Sequence, residues 1–227
     1  MPYSRLASPS ATIAVLERHG LYTRKALGQH FLVDDNVVGR IVAAASIEPG
    51  EAVLEIGPGI GTLTDALLAA GAAVVAVEYD DRLLPVLEEL RDDPSRSLTV
   101  VRADAVTVSP AALVTPAGRP RLLVANLPYG VAATVVLRLF EEMPLLERAT
   151  VMVQSEVADR MAASPGSKAY GSYTVKLGLR ARCAGRFAVA RTCFLPPPRV
   201  DSAVIRLERI HREEDSRVMA AAARAAD

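Results

Sequence analysis

The 227-residue sequence has two cysteines, no net charge and no apolar run long enough to cross a bilayer. Cys183 and Cys193 are too few for a disulfide framework and stand in no metal-type spacing, which points to a reducing compartment and to no metal site. The longest uninterrupted apolar run, residues 66–77, contains Gly71 and falls well short of the roughly 20 residues that span a membrane. The opening Met1-Pro2-Tyr3-Ser4-Arg5 lacks the apolar stretch of a secretion signal, so a cytoplasmic protein with no membrane partner is expected. Internal repeats are absent too. A hydrophobic fraction of 51% is enough for a real core, in one generous domain or one domain with a short appendage.

Lys plus Arg and Asp plus Glu number 26 each, so total charge says nothing about partners, whereas its distribution does. Residues 51–90 carry Glu51, Glu55, Asp65, Glu78, Asp80, Asp81, Glu88 and Glu89 against Arg82 alone. Residues 160–212 are basic, with only Asp201 and Glu208 opposing a series of arginines and lysines. Two expectations follow: a bipolar surface whose basic side attracts a polyanion, or an ordinary solvated surface in an Arg-rich protein.

The residue pattern alternates strand and helix, the signature of a parallel sheet covered on both faces. Short helices are expected over 10–19 and, capped by Asp34, up to about 45, with a non-periodic link over 24–32 between them. Strands follow at 52–56, 73–77, 98–101, 122–125 and 150–153. Helices are expected at 62–70, 81–90, 131–141, 156–162 and 173–179, with a late antiparallel pair at 186–190 and 202–207. The division expected is residues 1–50 as amino-terminal helices and link, 51–210 as the α/β domain, and 211–227 as a tail beyond it.

Glu55-Ile56-Gly57-Pro58-Gly59-Ile60-Gly61-Thr62 closes the first of these strands and opens a helix. Glycines such as Gly57 and Gly59 let backbone approach a ligand, although many strand-to-helix turns need glycine for geometry alone. Glu78 ends the next strand, where a carboxylate can accept from ribose hydroxyls, and Asp104 follows the third, where it can accept from an adenine amine. Successive strand ends would then grip one adenosine. The pattern Gly-x-Gly-x-Gly lacks the sixth-position glycine of a pyrophosphate turn, which fits S-adenosylmethionine better than a nicotinamide dinucleotide. Here the chain resembles the class I S-adenosylmethionine-dependent methyltransferases, a Rossmann-like α/β fold whose seven-stranded, mostly parallel sheet has one antiparallel strand.

Asn126-Leu127-Pro128-Tyr129 ends the strand at 122–125 and joins an amide, a rigid carbonyl and a flat ring. Asn126 and the Pro128 carbonyl suit an exocyclic amine, and Tyr129 suits stacking on a flipped base. Phe194, ahead of Pro196-Pro197-Pro198, is a candidate clamp for the second face of that base, with core packing as the alternative.

These segments, with residues 24–32, Tyr170-Gly171 and residues 194–204, resemble the KsgA-like small-subunit ribosomal RNA adenine dimethyltransferases. The resemblance implies twofold methylation of two adjacent adenines in a loop near the 3′ end of 16S rRNA, within a 30S precursor particle and by a monomer. It implies that His30 and Leu32 line the cofactor site with Gly57, Glu78, Asp104 and Asn126, His30 standing where the family often has Asn. Family members usually continue into a small helical carboxy-terminal domain, of which residues 213–226 resemble the first helix. Two alternatives stay open: an erythromycin-resistance-type 23S rRNA methyltransferase, and a non-catalytic RNA-binding assembly factor on the same scaffold.

Overall fold

The structure, a computed structural model, describes residues 2–22 and 29–211. Residues 24–28 of the expected link and the tail 213–226 lie outside the described residues. The chain begins with α1 (Pro9–Arg18), β1 (Phe31–Leu32), α2 (Asp35–Ala45), β2 (Ala52–Ile56), α3 (Thr62–Ala69) and β3 (Ala73–Glu78). It continues through α4 (Leu84–Arg91), β4 (Ser97–Arg102), β5 (Leu122–Asn126), α5 (Ala132–Glu142) and β6 (Arg148–Gln154). The last elements are α6 (Ser155–Met161), α7 (Ser172–Gly178), β7 (Ala181–Val189), β8 (Phe194–Leu195) and β9 (Ser202–Arg209).

Seven strands form one sheet in the order β4-β3-β2-β5-β6-β9-β7. The first five pair in parallel, and β9 runs antiparallel to both β6 and β7. One strand therefore opposes the other six, as expected. Alternation along the strands divides the core between the two faces. Val53, Val74, Ala76, Leu122 and Val124 pack toward α2, α3 and α4, through residues such as Val38, Ile41, Leu67 and Leu87. Leu54, Ile56, Val75, Val77, Leu123 and Ala125 pack the opposite way, against α5, α6 and α7 through Val136, Phe140, Met161 and Leu177. Burial on both faces explains why these strands read as near-continuous apolar runs.

The helix starts have local causes. Ser8 Oγ accepts from Ala11 N ahead of Pro9 at the first helical position, and Asp34 Oδ1 accepts from Asn36 N and Val37 N.

The sequence reading needs extension in two places. β7 begins at Ala181, five residues before the expected start, with a register shift between Cys183 and Gly185. This edge segment is mostly exposed and has no alternating apolar pattern; the open ladder of β9 recruits it. The other addition is a two-residue antiparallel pair, Phe31 with Leu195 and Leu32 with Phe194, which ties the amino-terminal link to the proline arm.

The far end of the sheet is closed by Arg209. Its guanidinium is buried and donates from Nε to the Leu146 carbonyl at 2.6 Å and from an Nη to the Phe140 and Met143 carbonyls, both at 2.8 Å. The Phe140 carbonyl lies in the last turn of α5, where no intrahelical donor reaches it, and burial would leave it and the Leu146 carbonyl unpaired without the fork, whereas the Met143 carbonyl also accepts from Leu146 N at 3.0 Å. Arg209→Ala should lower unfolding stability by on the order of 3 kcal/mol, read from denaturant melts, because it strands two buried acceptors at once. Arg209→Lys, with a single ammonium in place of the fork, should recover less than half of that loss.

Candidate active site

Parallel α/β sheets bind ligands where the strand order reverses, outside the carboxyl ends of the strands. Here that point lies between β2 and β5, and a cavity of about 540 Å³ opens there. Its walls come from the ends of β2, β3 and β5, from the turn after β4 and from residues 29–32.

The glycine turn after β2 has a structural reason at each of its first two glycines. Gly57 has φ +68°, and a Cβ there would lie 3.2 Å from Pro128 Cδ; Gly59 has φ +62°, and its Cβ would lie 3.2 Å from the Phe31 ring. A side chain at either position would be strained and would push apart the elements it touches. The turn is thus wedged between the Asn126–Tyr129 loop and β1.

Glu78 ties that turn down. Its Oε2 accepts from Gly59 N at 3.2 Å, and its Oε1 accepts from the main-chain N–H groups of Tyr79 and Asp80 at 2.8 Å. Burial nevertheless outweighs these bonds and holds the carboxyl above its usual range. Asp80, at the cavity rim, accepts from Gln29 Nε2 at 2.9 Å and pairs with Arg82, whose hydrogen bond holds its carboxyl below the usual range. Asp104 Oδ1 accepts from Val106 N at 2.8 Å, fixing the turn after β4 with the carboxylate exposed at the cavity.

On the opposite wall, Asn126 Nδ2 donates to the His30 carbonyl at 3.3 Å. A carbonyl can only accept, so this contact sets the amide orientation and leaves Oδ1 as the group with free acceptor capacity. The Pro128 carbonyl accepts from Val131 N at 3.1 Å and keeps a second lone pair. Tyr129 shares a 2.7 Å hydrogen bond with Ser202 Oγ, and its ring stacks on His30 with centroids 5.7 Å apart and planes 24° from parallel.

His30, Leu32, Gly57, Gly59, Glu78, Asp104, Asn126, Pro128 and Tyr129 all line the cavity. Phe194 does not. It is 2% exposed, paired with Leu32 and packed in the core on the α2 side of the sheet, so in this conformation it is a core residue and not a clamp. The aromatic partner of Tyr129 is instead His30. Sequence reasoning also passed over Glu55, Gln29 and Thr62 as lining residues. Glu55 is the telling omission, because an acid at the end of an otherwise apolar strand is itself a signal. It is 1% exposed, accepts from Thr64 Oγ1 at 2.6 Å, and burial pushes its carboxyl up to about 8.

The charge of the cavity is one-sided. Asp80, Asp104, Glu78 and the buried, high-pKa Glu55 line it, and no Lys or Arg occurs among the described residues that do. Such a wall repels a pyrophosphate and suits a ligand carrying positive charge, such as the sulfonium and ammonium of S-adenosylmethionine. Away from the cavity, ion pairs neutralise most of the acidic half and only part of the basic half. Arg182 and Arg206 pair with Glu208, Arg186 with Asp159, and Arg209 is buried; among the acids, Glu51 pairs with Arg148, Asp65 with Arg5 and Arg96, and Asp81 with Arg102. Lys168, Lys176, Arg191 and Arg199 remain exposed, and Arg191 and Arg199 bracket the proline arm in the sequence.

The comparisons with known proteins point to one family. The family model described as ribosomal RNA adenine dimethylase matches residues 20–219. The chain belongs to that family. A Lactiplantibacillus plantarum protein named ribosomal RNA small subunit methyltransferase A is 43% identical over 205 residues, covering 89% of this chain and 69% of the relative. Its namesake in Rhodococcus opacus is 47% identical over 208 residues, with 90% and 69% covered. Among solved structures, a dimethyladenosine transferase from Plasmodium falciparum superposes with TM-score 0.69 at 31% identity, covering 82% of this chain and 65% of that one. The 23S rRNA methyltransferase ErmE gives 0.66 at 31% identity, covering 82% and 75%. The fold is therefore that of the methyltransferases, as the sequence resemblance implied, and membership of the dimethylase family implies use of S-adenosylmethionine.

The family site carries a pH signature in the ligand-free protein. A carboxyl whose folded pKa is raised binds its proton more tightly when folded, so Glu55 contributes stability below about pH 4.5 that is lost as pH rises toward 8. The loss amounts to at most about 1.4 kcal/mol per pH unit for one proton. Glu55→Gln should flatten this slope, so thermal melts from pH 5 to pH 8 should show the variant gaining on wild type as pH rises. A constant gap between the two would show that Glu55 is ionised throughout.

Proposed function

We propose that this chain is the S-adenosylmethionine-dependent enzyme that dimethylates the exocyclic amines of two adjacent adenines near the 3′ end of 16S rRNA, acting on a 30S precursor particle as a cytoplasmic monomer. The observation that carries this reading is the meeting, in one cavity, of an acid-lined adenosine site with Asn126, Pro128 and Tyr129. No helix among the described residues is long and apolar enough to cross a membrane, and no group of metal-ligating side chains occurs among them. The small-subunit substrate follows the sequence relatives, which carry that name; the likeness to ErmE reaches the fold and the base chemistry and supplies the competing substrate.

When bound, S-adenosylmethionine supplies an electrophilic methyl group on a positively charged sulfur. The chain's work is orientation, since methyl transfer is an in-line displacement in which the N–C bond forms as the C–S bond breaks. Glu78 would accept from ribose hydroxyls and Asp104 from the adenine amine of the cofactor, with Gly57 and Gly59 allowing close approach and His30 and Leu32 closing the side. Asn126 Oδ1 and the Pro128 carbonyl would accept the two N–H groups of the acceptor amine, drawing its lone pair out of conjugation and toward the methyl. Tyr129 would hold the base by stacking. The amine then loses a proton to water. After one methylation a single N–H remains, and the two acceptors can still hold it.

The test offers purified protein unmethylated 30S particles and deproteinised 23S RNA, each with labelled cofactor. Dimethyladenine should form in the 30S particles, and Asn126→Ala should reduce it at least 100-fold at saturating cofactor while the melting temperature changes little. Preferential labelling of 23S RNA would transfer the assignment to the resistance-type activity. RNA binding with no cofactor binding would leave a scaffold protein.

A further inference from the structure

Tyr129 is held from two directions by residues outside its own loop. At its hydroxyl end, Oη lies 2.7 Å from Ser202 Oγ, the first residue of β9. Ser202 is 0% exposed and is fixed by strands on both sides, paired with Gln154 of β6 and Val189 of β7. On one ring face sits His30, and the imidazole is itself anchored: Nδ1 lies 2.8 Å from the Pro196 carbonyl. Because that carbonyl can only accept, His30 carries its proton on Nδ1 and turns Nε2 away from the arm. Burial of the phenol keeps it protonated, so the bond to Ser202 persists across the working pH range.

A ring gripped at its tip and on one face has little freedom to tilt. Free rotation about the side-chain bonds of a loop tyrosine would spread the stacked base over many poses, of which few aim the amine along the line of methyl transfer. Both restraints come from the proline arm: Pro196 holds His30, and Ser202 ends the arm and opens β9. The arm therefore acts on the base through Tyr129, with Phe194 buried beneath it as a footing.

We propose that Ser202 and His30 are positioning residues for the acceptor base, Ser202 fixing the Tyr129 ring from its hydroxyl and His30 holding it from one face. This inference rests on the proposed adenine methylation, and its test separates the two. Ser202→Ala and Tyr129→Phe remove the same hydrogen bond from opposite ends, so a variant that folds poorly on one side is checked from the other. Each should lower kcat on 30S particles about tenfold, with KM for the particle and cofactor affinity within twofold of wild type. The double variant should be no worse than either single one, because the shared interaction is already lost. His30→Ala should lower kcat similarly, read at saturating cofactor because His30 also lines the cofactor cavity. Independently of activity, carbon-13-labelled tyrosine NMR should show the Tyr129 ring resonance moving in both Ser202→Ala and His30→Ala. Additive losses, or single variants within twofold of wild-type kcat, would overturn the proposal. So would an unmoved Tyr129 resonance, a result that counts even if the wild-type protein methylates neither substrate and the parent reading fails.

Discussion

The site depends on how closely Gly57 approaches Pro128. One belongs to the turn that ends β2 and the other to the loop that ends β5, and the space between them leaves no room for a relaxed side chain. Because β2 and β5 are hydrogen-bonded neighbours, this contact fixes the distance between the proposed cofactor wall and the proposed acceptor wall. The remaining geometry is built outward from it. Glu78 pins the turn at Gly59, Phe31 covers Gly59 from the other side, and the His30 carbonyl orients the Asn126 amide. A methyl transferase needs reacting atoms held within a fraction of an ångström, and strand ends in a doubly covered sheet are the stiffest points from which to hold them.

Much of this arrangement was legible in the sequence, for physical reasons that can be named. Strands buried on both faces leave continuous apolar runs, and helices between them leave a 3.6-residue period, so the central sheet could be read directly. Glycine, Glu and Asp at three successive strand ends, with Asn126-Leu127-Pro128-Tyr129 at a fourth, were readable because the sheet itself brings consecutive strand ends together. Contacts between distant segments were not. Nothing local distinguishes Phe194 as a core residue from Phe194 as a clamp; only the pairing of β8 with β1 decides it. Nor could the start of β7 be seen, since Ala181 to Gly185 takes its extended form from the neighbouring ladder and not from its own side chains.

Charge taught a different lesson. The acidic front and basic back of the sequence suggested a bipolar molecule, but most of the acids and some of the arginines find partners across the fold. What persists is the acids lining the cavity and the exposed Lys168, Lys176, Arg191 and Arg199. Summed charge along a chain reports poorly on a surface when pairing is long-range, whereas charge left unpaired at a strand end reports well on a ligand.

The acids also have to be restrained. Four fully ionised carboxylates around a sulfonium would stabilise the cofactor before reaction and oppose the movement of positive charge from sulfur to the acceptor nitrogen. Burial works against this most at Glu55, whose carboxyl it pushes up to about 8, and in the same direction at Glu78, while Arg82 holds Asp80 below the usual carboxylate range and Asp104 is exposed. On the acceptor side the polar groups are neutral: an amide oxygen at Asn126 and a carbonyl at Pro128. Their dipoles would point at the nitrogen where charge develops, and they are already held in place by the His30 carbonyl and by Val131 N–H. Preorganised dipoles of this kind favour the charge in its transferred position without binding the reactant more tightly than the transition state. The proposed division between acids at the cofactor and carbonyls at the base thus follows from the direction in which the reaction would move its charge.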